Sequence, residues 1–171
     1  SYNPSMIYFI RHGESEANLK RVFAGQRDDS ALTQKGVEQA QVEGAKINDM
    51  NLRIDTIISS PLIRAVDTAS IVAKIIGYEK EILIDPRITE YDMGDLTGTP
   101  TVEISSKRMI AATNAESIND FNDRVKSFLE EYGKGEENVL MVAHAGVGRL
   151  IETIRQGVAA ELFYDLPPYP N

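Results

Sequence analysis

Apolar runs of strand length, most of them handing on to a segment of helical period, constrain this chain more than any other feature. "MIYFI" (Met6 to Ile10), "DTIISS" (Asp55 to Ser60), "EILID" (Glu81 to Asp85) and "NVLMVA" (Asn138 to Ala143) are the strand candidates. The first and last are continuously apolar apart from Asn138, as strands covered on both faces are. Thr33 can cap a helix whose face carries Val37, Ala40, Gln41, Gly44 and Ile47. Ser60-Pro61 reads as a second start, serine as cap and proline in the first turn; Leu62, Ala65, Ala69, Val72 and Ile76 make the face and Gly77 the stop. Ser117, with Asp120 helping to cap, starts a third over Phe121, Val125, Phe128 and Tyr132, ending at Gly133. The last follows His144 and bears Val147, Leu150, Ile151 and Ile154. From Pro86 to Glu116 the pattern is lost, which predicts an excursion from the core with a short helix. The tail "LPPYPN" reads as irregular. Strands alternating with amphipathic helices predict an α/β fold with a sheet covered on both faces. No repeat or linker divides residues 1–171, so a single domain is expected.

Composition narrows the partners. The formal net charge of −8 argues against a nucleic acid, whose phosphates need a basic face. It still permits a small phosphorylated ligand if a few arginines share one pocket. No apolar run reaches the roughly 20 residues that cross a bilayer, so no membrane association is expected. "SYNPS" does not read as a signal peptide. Cysteine is absent, which removes disulfides and thiolate metal sites and fits a reducing, cytoplasmic setting.

The rarer residues fall at strand ends, where open α/β sheets bind ligands. Arg11 and His12 follow the first strand, Arg64 the second, Glu90 the third and His144 the last; His12 and His144 are the chain's two histidines. Each has an ordinary reading alone. Arg11 suits a surface, and Arg64 stands three before Asp67, a helix-surface pair worth roughly 0.2–0.5 kcal/mol. Glu90 is one acid among many, and either histidine could simply be satisfied at a turn. Together, on parallel strands, they would converge on one crevice. A metal site is disfavoured: there is no third histidine, no partner at helical spacing from His144, and Arg11 beside His12 would repel a cation. Two guanidiniums and two imidazoles suit a phosphoryl group instead. A neutral imidazole attacks phosphorus, a protonated one holds an oxygen, and a carboxylic acid protonates the leaving oxygen.

The residues also resemble a known family. "RHGESEAN", "ALTQKG" (Ala31 to Gly36), "SSPLIRAVDTA" (Ser59 to Ala69), "TEYDMGDLTG" (Thr89 to Gly98) and "VAHAGVGRLI" (Val142 to Ile151) stand in the order of the motifs of the histidine phosphatase superfamily, the phosphoglycerate mutase-like proteins. The resemblance implies a three-layer α/β sandwich around a central, mostly parallel sheet, with no metal and no cofactor. It implies His12 as the nucleophile that becomes phosphohistidine. Arg11, Arg64, His144 and Asn18 would bind the phosphoryl group, the backbone at Ala145 and Gly146 would add a contact, and Glu90 would be the proton donor and later the base. Gly13 would let the backbone carbonyl take the second N–H of the His12 ring, fixing its tautomer. Phe23 and Gly25 fall on the leaving-group side; Phe23, Tyr91 and Met93 are candidate liners.

There are departures from the family pattern. Ala145 stands where the family commonly has a glycine, "GQRDDS" (Gly25 to Ser30) lacks the aromatic residue often found after its glycine, and many members continue past a pair like Pro170-Asn171 into a last strand, so an edge strand is either missing or simply not included in this chain. Mutases of the family carry a long basic insertion, whereas Thr99 to Ala115 is short and has only Lys107 and Arg108 as bases. The expectation is therefore a metal-independent phosphatase acting on a phosphomonoester. The alternatives are mutase-type phosphoryl transfer, a protein-phosphohistidine phosphatase and a non-catalytic phosphate-binding module.

Overall fold

The computed structural model describes residues 5–169. Its strands are β1 (Ile7–Arg11), β2 (Thr56–Ser59), β3 (Leu83–Ile84) and β4 (Val139–Ala143), in the sheet order β1-β4-β2-β3 with every pairing parallel. The helices are α1 (Glu16–Lys20), α2 (Gln34–Asp49), α3 (Ile63–Ile75), α4 (Ser106–Ile110), α5 (Ile118–Gly133) and α6 (Ala145–Gln156).

Side-chain alternation on β4 explains the layers. Leu140 and Val142 enter a core with Ile47 of α2 and Ala65, Ala69 and Val72 of α3. Val139, Met141 and Ala143 point the other way, into a core with Phe121, Val125 and Phe128 of α5 and Val147 and Leu150 of α6. Successive strand residues face opposite sides, so a strand apolar at every position needs helices on both. The expected α/β sandwich with a parallel sheet is the fold found.

Several local expectations change. β3 shrinks to two residues because it is an edge, pairing only with β2, and Leu83 and Ile84 are exposed. Leu62, not Ser60, is the N-cap of α3; the Ser60 hydroxyl accepts the Leu62 N–H (3.2 Å) and is also bonded to His144. α1 has no apolar period to announce it and is held by a capping box between Ser15 and Asn18. The excursion does contain a short helix, α4. Before the tail, residues Ala160–Asp165 form a 3₁₀ turn that buries Phe163. Pro170 and Asn171, on which the missing-strand expectation rests, lie outside the described residues.

Candidate active site

Strand register builds the centre. Arg11 is aligned with Ala143 on β4, and Ser59 of β2 with Val142. The next residues along each strand, His12, His144 and Ser60, therefore emerge side by side at the carboxyl end of the sheet. His12 N–H donates to Ala143 O (3.1 Å), Ser60 N–H to Val142 O (3.0 Å), and the two imidazole centroids are 5.2 Å apart.

His12 is buried, and its Nδ1–H donates to Gly13 O at 2.6 Å. Nε2 accepts from Arg64 Nε at 3.3 Å, so the ring has the neutral tautomer with its lone pair on Nε2. Burial first, then the Arg64 guanidinium, push its pKa down to about 3. Gly13 has a further reason to be glycine: a Cβ would overlap the carbonyl of Gly36, and one on Gly36 would overlap Glu14 O. The glycines of "RHG" and "LTQKG" thus both lie where the two backbones touch, and that contact docks the N-terminus of α2 against the nucleophile loop.

Arg64 does not form the surface pair with Asp67 that its spacing allows. It is 2% exposed, and besides His12 it donates through Nη1 to Asp28 O (2.7 Å) and through Nη2 to Gly25 O (2.8 Å). Gly25, at φ 57°, makes the turn that presents its carbonyl. Arg11 is half-buried; its Nη1 donates to Tyr169 O (3.2 Å), and its Nε is buried without a partner.

Glu90 is buried and seated by two backbone donors, Tyr91 N–H to Oε1 (2.8 Å) and Gly146 N–H to Oε2 (3.0 Å). The Gly146 N–H expected to meet a phosphate is thus held by Glu90. The two other acids of the same motif are engaged elsewhere: Asp92 pairs with Arg27 (2.9 Å) and Asp95 accepts from Asn114 (3.0 Å).

His144 is fully buried and its Nε2 lies 2.7 Å from Ser60 Oγ. Ser60 Oγ also accepts the Leu62 N–H, and with the His144 ring proton on Nδ1, which is buried and unpartnered, the Ser60 hydroxyl would donate to Nε2. Burial, followed by the Arg64 charge, holds this imidazole well below its ordinary pKa. That favours a neutral ring over the protonated one expected, and its Nδ1–H tautomer would offer a donor to the cleft.

Arg11, His12, Asn18, Phe23, Gly25, Arg64, Glu90, Ala145 and Gly146, all singled out from the sequence, line one cleft of about 140 Å³, with His144 packed against His12. Asn18 turns its Oδ1 to the Ser15 N–H, which leaves the amide N–H donors for a ligand. Of the apolar candidates Phe23 and Met93 line the cleft, while Tyr91 is core, packed on Phe121 and Phe163 with its hydroxyl on Glu116 O. Sequence reasoning missed Ser60 as a histidine partner, and Arg149 and Tyr164 as liners. Only the position of Arg149, one helical turn past Ala145, pointed towards it.

Residues 7–170 match the histidine phosphatase superfamily (branch 1), and the chain belongs to that superfamily. It is 30% identical over 172 residues to a 2,3-bisphosphoglycerate-dependent phosphoglycerate mutase of Bartonella henselae, covering 91% of this chain and 83% of that one. The fold is similar to the alpha-ribazole phosphatase of Shigella flexneri (TM-score 0.74, 27% identity, 94% and 84% of the two chains). It is equally similar to a phosphoglycerate mutase of Bacillus anthracis (TM-score 0.76, 25% identity, 88% and 79%).

Proposed function

We propose that this chain is a metal-independent phosphatase that hydrolyses a phosphomonoester through a phosphohistidine on His12. The observation that carries the reading is the His12 ring itself, neutral, with Nδ1–H fixed on Gly13 O and the Nε2 lone pair beside the Arg64 guanidinium. In the first step Nε2 forms a bond to phosphorus as the ester P–O bond breaks. Arg11, Arg64, the Asn18 amide and His144 Nδ1–H hold the phosphoryl oxygens. Glu90, protonated in the substrate complex, gives its proton to the departing oxygen. In the second step water attacks phosphorus, the P–N bond breaks back to neutral His12, and the Glu90 carboxylate takes the water's proton.

Phosphatase rather than mutase is supported by the insertion. Lys107 and Arg108 lie on the exposed side of α4 and neither lines the cleft. A mutase must retain its bisphosphate intermediate, whereas a phosphatase needs only to admit water. The substrate partner is then a phosphorylated small molecule.

The test is a rapid quench into alkali with ³²P-labelled substrate. Acid-labile label should appear on the His12 peptide, and inorganic phosphate should be the product. His12→Ala should lose the label and nearly all turnover. Label passing to an added phosphoglycerate instead of water would make the protein a mutase. Substantial turnover in the alanine variant would reject covalent catalysis at His12, and absence of turnover in the wild type would leave a phosphate-binding module.

A further inference from the structure

The two histidines owe their places to strand register, but Glu90 does not. It stands six residues past β3, beyond the 3₁₀ turn Pro86–Ile88. A general acid must come within hydrogen-bond reach of the leaving oxygen, and a misplacement of about 1 Å can cost about a hundredfold in rate. Something other than the sheet has to fix the backbone that carries this acid.

That backbone converges on one guanidinium. Arg124, on α5, donates through Nη1 to Arg87 O (2.9 Å) and Thr89 O (2.6 Å), and through Nη2 to Glu90 O (3.2 Å). Its remaining donors take the Glu116 carboxylate as a fork, Nη2 to Oε1 (2.9 Å) and Nε to Oε2 (2.8 Å). A guanidinium has five N–H donors, so none is left for a ligand, and Arg124 is not among the described residues that line the cleft. Its Cζ lies 4.8 Å from the centre of the Phe121 ring, which packs in turn on Tyr91 (5.1 Å between centroids).

Glu116 closes the other side. Its Oε1 also accepts the Asp92 N–H (3.2 Å), its backbone N–H donates to Asp92 O (2.9 Å), and its carbonyl accepts the Tyr91 hydroxyl (2.7 Å). The chain from Arg87 to Asp92 is thus gripped before, at and after Glu90 by one mostly buried ion pair.

We infer that Arg124, held by Glu116, is the positioning residue for Glu90: it fixes the backbone from Arg87 to Asp92 so that the Glu90 carboxyl stands at the leaving oxygen. The inference rests on the phosphatase reading, in which Glu90 is the acid, and goes beyond it in assigning what holds that acid in place.

The test compares single-turnover phosphorylation of His12 by an alkyl phosphate, whose leaving oxygen needs a proton, and by p-nitrophenyl phosphate, whose leaving group departs without one. Glu90→Gln marks the full loss of the acid. Arg124→Lys keeps a charge opposite Glu116 but cannot supply five donors in one plane. It should lower the alkyl rate at least about tenfold and the p-nitrophenyl rate less than about threefold. Unfolding of part of the sample scales both rates alike, so a merely structural role would leave their ratio at the wild-type value. Added to Glu90→Gln, Arg124→Lys should lower the alkyl rate by less than about threefold more, because the acid it positions is already gone. Glu116→Gln, which keeps one carbonyl oxygen for the guanidinium, should shift the ratio in the same direction by less, and it serves as the test if the lysine variant does not fold. A wild-type ratio in the variant tested, or full additivity with Glu90→Gln, would overturn the inference and leave the phosphatase reading intact. A Glu90→Gln variant that slows both substrates equally would show that Glu90 is not the acid, and the inference would fall with that assignment. A wild-type protein that forms no phosphohistidine would reject the phosphatase reading itself, and the inference with it.

Discussion

Gly146 donates its backbone N–H to Glu90 Oε2 at 3.0 Å, and a Cβ at that position would overlap Oε1 of the same carboxylate. The glycine of "HAG" is therefore the seat of the proposed acid. Gly146→Ala should displace the end of a flexible side chain, not backbone, and so leave the melting temperature within a few degrees. It should cut single-turnover phosphorylation of His12 by an alkyl phosphate at least tenfold, about 1.4 kcal/mol. With p-nitrophenyl phosphate, whose leaving group departs without a proton, the loss should be much smaller. Equal losses for both substrates would show that Glu90 is not the acid.

Ser60 and His144 form a second matched pair. Ser60→Ala removes the donor to a fully buried Nε2 and the acceptor of the Leu62 N–H together. Leaving buried groups unsatisfied costs about 1–3 kcal/mol, so urea unfolding should shift by that amount. The diagnostic measurement is ¹⁵N chemical shift of the His144 ring. In the wild type it should report a proton on Nδ1, and in Ser60→Ala a mixture of tautomers. A wild-type ring protonated on Nε2 would refute the assignment.

The histidines also predict a pH dependence of stability. Unfolded, they titrate near 6.5; folded, His12 takes a proton only near about 3 and His144 well below 6.5. Between those limits the unfolded chain binds more protons, so stability is complete above about pH 6.5 and is lost as pH falls. Two protons give a slope of at most about 2.7 kcal/mol per pH unit. Urea unfolding at pH 7.0, 6.0 and 5.5 should show this fall, and His12→Gln should remove up to half of it. An unchanged slope in that variant would mean that His12 is already protonated in the native state.

Metal removal should have no effect. Among the described residues no group of three or more histidine, cysteine or acidic side chains is placed to hold an ion, and arginines neutralise the phosphoryl charge in the proposed reaction. Phosphate release should be unchanged after dialysis against EDTA. Loss of activity restored by magnesium or zinc would contradict the mechanism.

How much of this was legible differs by residue. His12 and His144 were visible because they end strand patterns that the sequence displays, and parallel register does the rest, whereas Glu90, six residues past β3 and beyond the 3₁₀ turn Pro86–Ile88, was visible through its motif. The identities of Gly13 and Gly36 were visible, but their mutual contact was not, since they belong to segments joined only by tertiary packing. α1 was hidden because a five-residue helix held by a capping box carries no period. Ser60 read as a helix cap, the ordinary role of a serine before proline. Its partnership with His144 depends on β4 lying between β1 and β2, an order that no local pattern encodes.

Arg64 is where sequence and structure differ most in consequence. Read as a helix residue near a pocket, it would be removable with a kinetic effect and little change in stability. The structure makes it a buried strut: Nη1 and Nη2 hold the carbonyls of Asp28 and Gly25, while Nε faces His12. Arg64→Ala should therefore lower the melting temperature as well as kcat/KM, because two carbonyls lose charged donors. Arg64→Lys separates the two roles. It keeps a positive charge but cannot supply three donors in a fixed plane. Its kcat/KM should still fall at least tenfold, about 1.4 kcal/mol of transition-state binding. Added guanidinium ion should restore part of the activity of the alanine variant, where the vacated space can admit it, and none in the lysine variant. Wild-type kinetics in Arg64→Lys would show that only charge matters there, and wild-type stability in Arg64→Ala would show that the loop from Gly25 to Asp28 is held by something else.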